Sequence, residues 1–389
     1  MKLENDIPEN VNMDPSKLLE IELIISEKIK EKKLNAMNMA VARHGKLIYH
    51  KAIGNLKLAP DSPPAPLDAL YSVRSVSKPI TATIIMMLHE QSIININDPV
   101  QKYLPEFKGE GKDKVTIWHL LTHTTGIHDD DIGKYVDSKI KDFVPTQEPP
   151  KYIQRNSKWW MLALESPLTK PTGKEMSYSN TGYNMLGMII KAVTGKNINI
   201  YARETLLNPL GMIDTSYVKS ARKIEGRVVE RIPDEGQKVS WMCKETAFNR
   251  MSGCCSVSTT ALDLAVFMQM ILNKGEYGGK RYLTPESVKL MTTNQIPGVY
   301  AYFGENEYFP EAAWGLGFDA TGVKSSFPTN ATFVHGGYGG SEVWGDPILD
   351  MVVVILKAIN PDYDKNNFAG LADIAFYACK DYESLKTPV

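Results

Sequence analysis

The tetrapeptide Ser75-Val76-Ser77-Lys78 follows an apolar stretch at residues 70–73 and opens a run with hydrophobic residues at helical spacing, Ile80, Ile84, Met87 and Leu88. This pattern predicts a helix that begins near Ser75. Residues three positions apart share a helix face, so we expect the Lys78 amine within reach of the Ser75 hydroxyl. A serine hydroxyl needs a neighbouring base to act as a nucleophile, and lysine is one known partner. Ser75 is therefore a candidate nucleophile.

The S-x-x-K pattern is weak evidence when it stands alone. Serines are favoured at helix starts because their side chains cap the helix, and lysines are common on solvated helix faces. The interpretation as a catalytic pair therefore depends on other segments of the chain.

Composition and charge restrict the class of protein. The chain has 389 residues, of which 43% are hydrophobic and 23% are charged, as in an ordinary globular protein with a substantial core. Its 44 basic and 45 acidic side chains give a net charge of −1, so no basic field would attract nucleic acid or an anionic membrane. We expect a small-molecule partner, with the oligomeric state open.

The sequence contains no apolar stretch long enough to span a bilayer, and its first residues lack the hydrophobic core of a signal peptide. These features predict a cytoplasmic protein, with an exported protein whose signal peptide has been removed as the alternative. The cysteines fit no metal-ligand spacing, and an adjacent pair cannot readily form a disulfide with itself. We expect no metal and no cofactor, and reduced thiols at Cys243, Cys254, Cys255 and Cys379.

Both ends of the chain contribute to the predicted sheet. Asp14-Pro15 begins an amphipathic helix, and residues 37–42 and 47–53 form a predicted hairpin. Near the other end, three predicted strands at 332–334, 342–344 and 351–356 precede a terminal helix. We therefore predict an α+β fold, with an antiparallel sheet flanked by N- and C-terminal helices.

The middle of the chain has mainly helical periodicity. We predict an inserted helical subdomain at 75–205, a discontinuous sheet domain at 1–74 and 206–389, and an active site between them. Within the subdomain, Pro, Gly and Asp indicate long loops near 105–114 and 128–151. Further helices are predicted at 261–272 and after Thr284-Pro285.

Two loop segments add polar groups. Tyr178-Ser179-Asn180 precedes a helical pattern, where it could present a phenol and an amide to a cleft or simply cap the helix. His335-Gly336-Gly337 ends a predicted strand, and its glycines either admit a ligand or form a plain turn.

Taken in order, these three segments resemble the motifs of the serine β-lactamase and penicillin-binding protein superfamily: S-x-x-K, Y-x-N, and K-T-G or H-x-G. Residues 98–105, 120–126 and 208–212 also resemble sequence segments of this superfamily. The resemblance covers roughly residues 30–360. It is greatest to the branch that holds class C β-lactamases, family VIII carboxylesterases and D-aminopeptidases, and it implies a β-lactamase/transpeptidase-like fold.

The resemblance also implies roles for individual residues. Ser75 would be acylated, and Lys78 and Tyr178 would share the removal of its proton, with the base left open between them. The backbone N–H groups of Ser75 and Tyr338 would form an oxyanion hole. Substrate would be bound by Asn180, His335, Gly336 and Gly337.

The third motif departs from the β-lactamase pattern. A K-T-G motif offers a permanent cation to a substrate carboxylate, whereas His335 offers a mostly neutral imidazole. We therefore expect a serine hydrolase of small esters or amides, resembling carboxylesterases and D-peptidases. The alternatives are a class C-like β-lactamase or a D-Ala-D-Ala carboxypeptidase.

Two different classes of function compete with this hypothesis. His119 and His123 stand four residues apart, a spacing that suits zinc on a helix, although no H-E-x-x-H motif accompanies them. A non-catalytic module on the same scaffold would bind its ligand without turnover. A stretch rich in aromatic residues, 300–314, would line an apolar acyl pocket or pack a loop.

Overall fold

The structure is a computed structural model that describes residues 2–59, 61–146, 148–153, 156–218, 226–230, 252–302, 308–320, 328–359 and 370–385. Cys243 and Phe303 lie outside these ranges. The strands in the described part are β1 (Glu4–Asn5), β2 (Leu34–Arg43), β3 (Lys46–Gly54), β4 (Tyr71–Ser72), β5 (Glu175–Ser177), β6 (Ser258–Thr259), β7 (Glu276–Tyr277), β8 (Lys280–Arg281), β9 (Tyr300–Tyr302), β10 (Tyr308–Phe309), β11 (Asp319–Ala320), β12 (Phe333–Gly337), β13 (Ser341–Asp346) and β14 (Met351–Ile359).

The helices in the same ranges include long amphipathic elements and several short turns. They are α1 (Pro15–Lys30), α2 (Ser77–Glu90), α3 (Ile117–Leu121), α4 (Asp129–Lys139), α5 (Ser157–Glu165), α6 (Asn180–Thr194), α7 (Ile198–Ala202), α8 (Asn208–Leu210), α9 (Ala261–Leu272), α10 (Pro285–Thr292), α11 (Leu371–Tyr377) and α12 (Tyr382–Leu385). None of the described helices combines the length and hydrophobicity needed to cross a bilayer.

The central sheet is built from both ends of the chain, as predicted. Its strand order is β1-β3-β2-β14-β13-β12-β11, and its long strands are antiparallel. The two-residue strand β1 at the edge runs parallel to β3, so the sheet is strictly mixed. The hairpin between β2 and β3 turns at His44 and Gly45, which both have positive φ (53° and 71°). Two such residues suit the tight turns whose twist matches paired strands.

Both faces of the sheet are buried: every residue of β2 and β14 is buried, and β14 is apolar except for Lys357. Side chains alternate between faces along a strand. On β14, Val353 and Ile355 face the N- and C-terminal helices α1 and α11, whereas Val352 and Val354 face the core shared with α2 and α9. The α+β prediction is therefore confirmed, with the site-bearing helix α2 on the second face.

Local capping explains where several predicted helices begin. The Asp14 side chain accepts a hydrogen bond from the Ser16 N–H (2.9 Å) at the start of α1. The Thr284 hydroxyl accepts a hydrogen bond from the Ser287 N–H (3.2 Å) at the start of α10. An oxygen at this position satisfies an N–H group that has no partner inside the helix.

The prediction of a long loop at 128–151 is wrong in its first part, because α4 occupies Asp129–Lys139. Three aspartates fill its first turn, where carboxylates interact favourably with the helix dipole. Ile132 and Val136 are buried beneath it at a spacing of four residues. The acidic run indicated a loop from the sequence, but it forms the start of a helix.

Candidate active site

The helix predicted to begin near Ser75 begins two residues later, at Ser77. Ser75 belongs to a 3-10 turn, Arg74–Val76, that leads directly into α2. Arg74 has a positive φ of 48°, an uncommon conformation for a residue with a side chain. The Lys78 Nζ lies 3.1 Å from the Ser75 Oγ, as the three-residue spacing predicted.

Lys78 is fully buried, and its amine has partners from three parts of the chain. Nζ donates to Asn180 Oδ1 (2.9 Å) and to the backbone carbonyl of Cys254 (3.3 Å). It also lies 4.6 Å from the centre of the Tyr178 ring. Burial by itself lowers the pKa of Lys78, but interaction with Tyr178 and the nearby thiols outweighs burial and raises the pKa overall.

Tyr178 is positioned by the loop after β5, and His123 holds this loop. The Ser177 N–H donates to the His123 carbonyl (2.8 Å), and the Ser179 N–H donates to His123 Nδ1 (2.9 Å). The rings of His123 and Tyr178 lie 4.6 Å apart. Burial lowers the pKa of His123 well below its usual value, so the imidazole stays neutral.

The zinc hypothesis finds no support in this geometry. His119 Nδ1 interacts with the backbone and hydroxyl of Thr116 at the start of α3, whereas His123 holds the Tyr178 loop. No group of three or more metal-ligating side chains occurs in the described ranges.

Asp129 is a positioning residue that the sequence did not reveal. Its carboxylate accepts hydrogen bonds from the Ser179 hydroxyl (2.7 Å), the Asn180 N–H (2.7 Å) and the Thr181 N–H (3.3 Å). The start of α4 therefore holds the start of α6, and with it the amide that binds Lys78. No local pattern could have paired residues 50 positions apart.

Strand β12 brings the third motif beside the Ser75 turn. A Cβ added at Gly337 would lie 2.2 Å from the Val73 carbonyl oxygen, so only glycine permits this approach. A Cβ at Gly336 would meet nothing within 4 Å, which leaves open space at the strand end. Tyr338 follows directly, and it is 51% exposed.

His335 is a neutral hydrogen-bond acceptor. Its Nδ1 lies 2.8 Å from the Gly336 carbonyl, which can only accept, so the proton is on Nδ1 and Nε2 carries a lone pair. Burial, with a smaller effect of Lys78, lowers the pKa of His335 to about 3. Its ring lies 6.4 Å from that of Tyr178 and 5.7 Å from that of Trp314.

The structure thus brings Ser75, Lys78, Tyr178 and Asn180 into one cluster, with the third motif beside it. Of the aromatic stretch 300–314, Trp314 is buried in a small apolar cluster and packs against His335 and Tyr178. Tyr302 instead stacks on His128, at 4.7 Å between ring centres.

Comparison with known proteins agrees with the fold. The β-lactamase family model matches residues 21–376. A protein of Escherichia coli K12 named "Putative D-alanyl-D-alanine carboxypeptidase" is 24% identical, over 96% of this chain and 91% of its own length. A family VIII carboxylesterase structure has a TM-score of 0.70 at 20% identity, covering 95% of this chain and 97% of its own.

The octameric penicillin-binding protein homologue of Pyrococcus abyssi has a TM-score of 0.70 at 23% identity, covering 92% of this chain and 80% of its own. All these comparisons extend over nearly the whole chain. The chain therefore belongs to the β-lactamase family, and it is related to serine hydrolases.

Proposed function

We propose that the protein hydrolyses small esters or amides through an acyl-enzyme on Ser75. The observation that carries this proposal is the 3.1 Å contact between the Lys78 amine and the Ser75 hydroxyl, beside the Tyr178 ring. A hydroxyl in contact with a buried amine, with a phenol ring beside that amine, has the partners that nucleophilic catalysis requires.

The contacts of Lys78 support a shared role for Lys78 and Tyr178 in removing the Ser75 proton. The Lys78 amine contacts the Ser75 hydroxyl (3.1 Å) and lies 4.6 Å from the centre of the Tyr178 ring, so the two side chains act as one unit. Asn180 orients the amine through its 2.9 Å hydrogen bond.

The proposed reaction uses only the substrate and water. The Ser75 oxygen attacks the substrate carbonyl, and its proton passes to the Lys78–Tyr178 pair, which returns it to the departing alcohol or amine. Water then attacks the acyl carbonyl, the same pair takes one water proton, and that proton returns to the Ser75 oxygen as it leaves. The N–H groups of Ser75 and Tyr338 would bind the oxyanion, and such a donor typically contributes about 3 kcal/mol.

The third motif favours uncharged substrates. His335 is neutral and accepts rather than donates at Nε2, so it does not offer a carboxylate the cation that a K-T-G lysine would. Losing a charged hydrogen bond costs about 1.5 to 3 kcal/mol. Esters and amides without a carboxylate are therefore preferred over β-lactams. D-Ala-D-Ala carboxypeptidase activity is the second candidate, because the Escherichia coli relative is named for that activity.

A substrate panel tests the proposal. Initial rates are measured in parallel with a nitrophenyl ester, a cephalosporin and a D-Ala-D-Ala peptide. We expect the ester to have the highest kcat/KM, and Ser75→Ala to abolish its hydrolysis. Ser138→Ala, at an exposed site on α4, is the control and should keep the wild-type rate. A Ser75→Ala variant with wild-type turnover would rule out the proposal.

A further inference from the structure

The segment 252–257 forms one wall of the Lys78 site. The Gly253 carbonyl accepts a hydrogen bond from the Thr81 hydroxyl (2.6 Å), and the Cys254 carbonyl accepts one from Lys78 Nζ (3.3 Å). A Cβ added at Gly253 would lie 2.3 Å from the Tyr183 carbonyl oxygen. The turn is therefore fixed between α2 and α6, and it has little room to move without disturbing Lys78.

Two adjacent thiols follow in this turn, and they face the same hydroxyl. Ser252 Oγ lies 3.0 Å from Cys254 Sγ and 3.5 Å from Cys255 Sγ. Both cysteines are free. Cys254 is buried, whereas Cys255 is partly exposed, so a reagent reaches Cys255 first.

Electrostatics also distinguish the two sulfur atoms. The hydrogen bond with the Cys254 thiol lowers the pKa of Cys255, and the nearby positive charges of Lys78 and Arg74 lower it further against the opposing effect of burial. The pKa of Cys254 is raised by the same pair interaction and by burial. Loss of the proton is therefore favoured at the sulfur that is closer to solvent, and the thiolate is the nucleophilic form.

We propose that Cys255 is a modification site for small disulfides, and that an adduct there inactivates the adjoining Ser75 site. The claim that an adduct inactivates the Ser75 site rests on the proposed function.

The reaction is a thiol–disulfide exchange. The Cys255 thiolate attacks one sulfur of the disulfide, a new S–S bond forms, and the other sulfur leaves as a thiolate with the bonding electron pair. Cys254 is poorly placed to displace the adduct. Cα atoms of adjacent residues lie about 3.8 Å apart across a trans peptide, less than the roughly 4.4–6.8 Å of ordinary disulfides. The mixed disulfide should therefore persist until an external thiol reduces it.

An adduct would displace the turn that holds Lys78. Cys255 packs against the main hydrophobic core, so added atoms push on the turn whose Cys254 carbonyl accepts a hydrogen bond from the Lys78 amine. This displacement weakens the Lys78–Ser75 contact, whereas a serine at position 255 adds no atoms and leaves the turn in place.

Methyl methanethiosulfonate is a suitable probe because it adds only a small, uncharged S–CH₃ group and releases methanesulfinate. Wild-type protein and the variants Cys255→Ser and Cys379→Ser are treated, and the adducts are located by peptide mapping. Ester hydrolysis is followed in parallel, before and after reduction. Cys379 is the matched internal control, because it is buried behind the sheet, 3.5 Å from Met351 Sδ, and burial raises its pKa to about 11.

We expect Cys255 to be labelled at least tenfold faster than Cys379, with more than a tenfold loss of hydrolysis that reduction restores. Cys255→Ser should keep its activity and resist the reagent, whereas Cys379→Ser should behave like the wild type. Labelling of other cysteines without Cys255, or full activity with Cys255 modified, would overturn the proposal. If untreated protein hydrolyses no substrate, the proposed function fails, while the mapping still decides whether Cys255 is the modified site.

Discussion

Replacing His335 with lysine should change which substrates the site prefers. His335 is 3% exposed, and its pKa of about 3 keeps it neutral throughout the working range. A lysine here would introduce a cation near the aromatic rings of Trp314 and Tyr178. The variant His335→Lys therefore supplies the charge that a substrate carboxylate needs.

The expected size of the change follows from one charged hydrogen bond. Such a bond is worth about 1.5 to 3 kcal/mol, and about 1.4 kcal/mol corresponds to a factor of ten. The ratio of kcat/KM for a cephalosporin to kcat/KM for a neutral nitrophenyl ester should rise roughly 10- to 150-fold. The ratio is the useful quantity, because a second cation near Lys78 slows both substrates and that common effect cancels.

The assay compares wild type, His335→Lys and His335→Gln, with glutamine as a neutral polar control. Glutamine should leave the ratio within about threefold of wild type, since it adds no charge. The reasoning is refuted if lysine leaves the ratio unchanged, or if glutamine raises it as much as lysine does.

Three further changes test other parts of the site and fold. Lys78→Ala and Tyr178→Phe should each lower kcat about 10²- to 10⁴-fold, and the double variant should be no slower than the worse single variant, because the two groups act as one unit. Asp129→Asn should lower kcat about tenfold or more while KM and the melting temperature change little, because it loosens the Asn180 loop. Burial lowers the pKa of Lys112 to about 8, below the value near 10.5 in an unfolded chain. Between these two pKa values the unfolded state binds more protons than the folded state, so the free energy of unfolding rises with pH. Relative to Lys112→Met, the free energy of unfolding of the wild type should increase by up to about 3 kcal/mol as pH rises from 7 to 10.5.

Each of these changes has its own control. Additive losses in the Lys78 and Tyr178 double variant would contradict a shared role. Asp130→Asn, on the exposed side of the same helical turn, should keep full kcat, and an equal loss there would deny Asp129 a positioning role. Urea unfolding at several pH values measures the Lys112 effect, and a stability difference that does not vary with pH would contradict it.

Periodicity was sufficient to predict much of the fold. The apolar run of β14 alternates between two buried faces, and the capping residues Asp14 and Thr284 begin helices where they were expected. The acidic run at Asp129–Asp131 was misinterpreted, because the same residues that favour a loop also stabilise the first turn of a helix. Local sequence does not distinguish these outcomes.

Proximity within the site could be predicted only where it is local. The Ser75–Lys78 contact follows from helix geometry, whereas Tyr178 was associated with it through motif resemblance. The contribution of Cys254 could not be predicted, because its backbone carbonyl holds Lys78 and any residue type supplies that group. Asp129 likewise acts across the chain, through contacts that only the packing of α4 against α6 creates.

The central claim is that Ser75 becomes covalently acylated, and trapping that species tests it most directly. The protein is mixed with a nitrophenyl ester, quenched in acid during turnover, and analysed by intact mass and peptide mapping. We predict one acyl group on the peptide that contains Ser75, and no adduct on Ser75→Ala. An acyl group located on another residue, or an unchanged adduct in Ser75→Ala, would contradict the account.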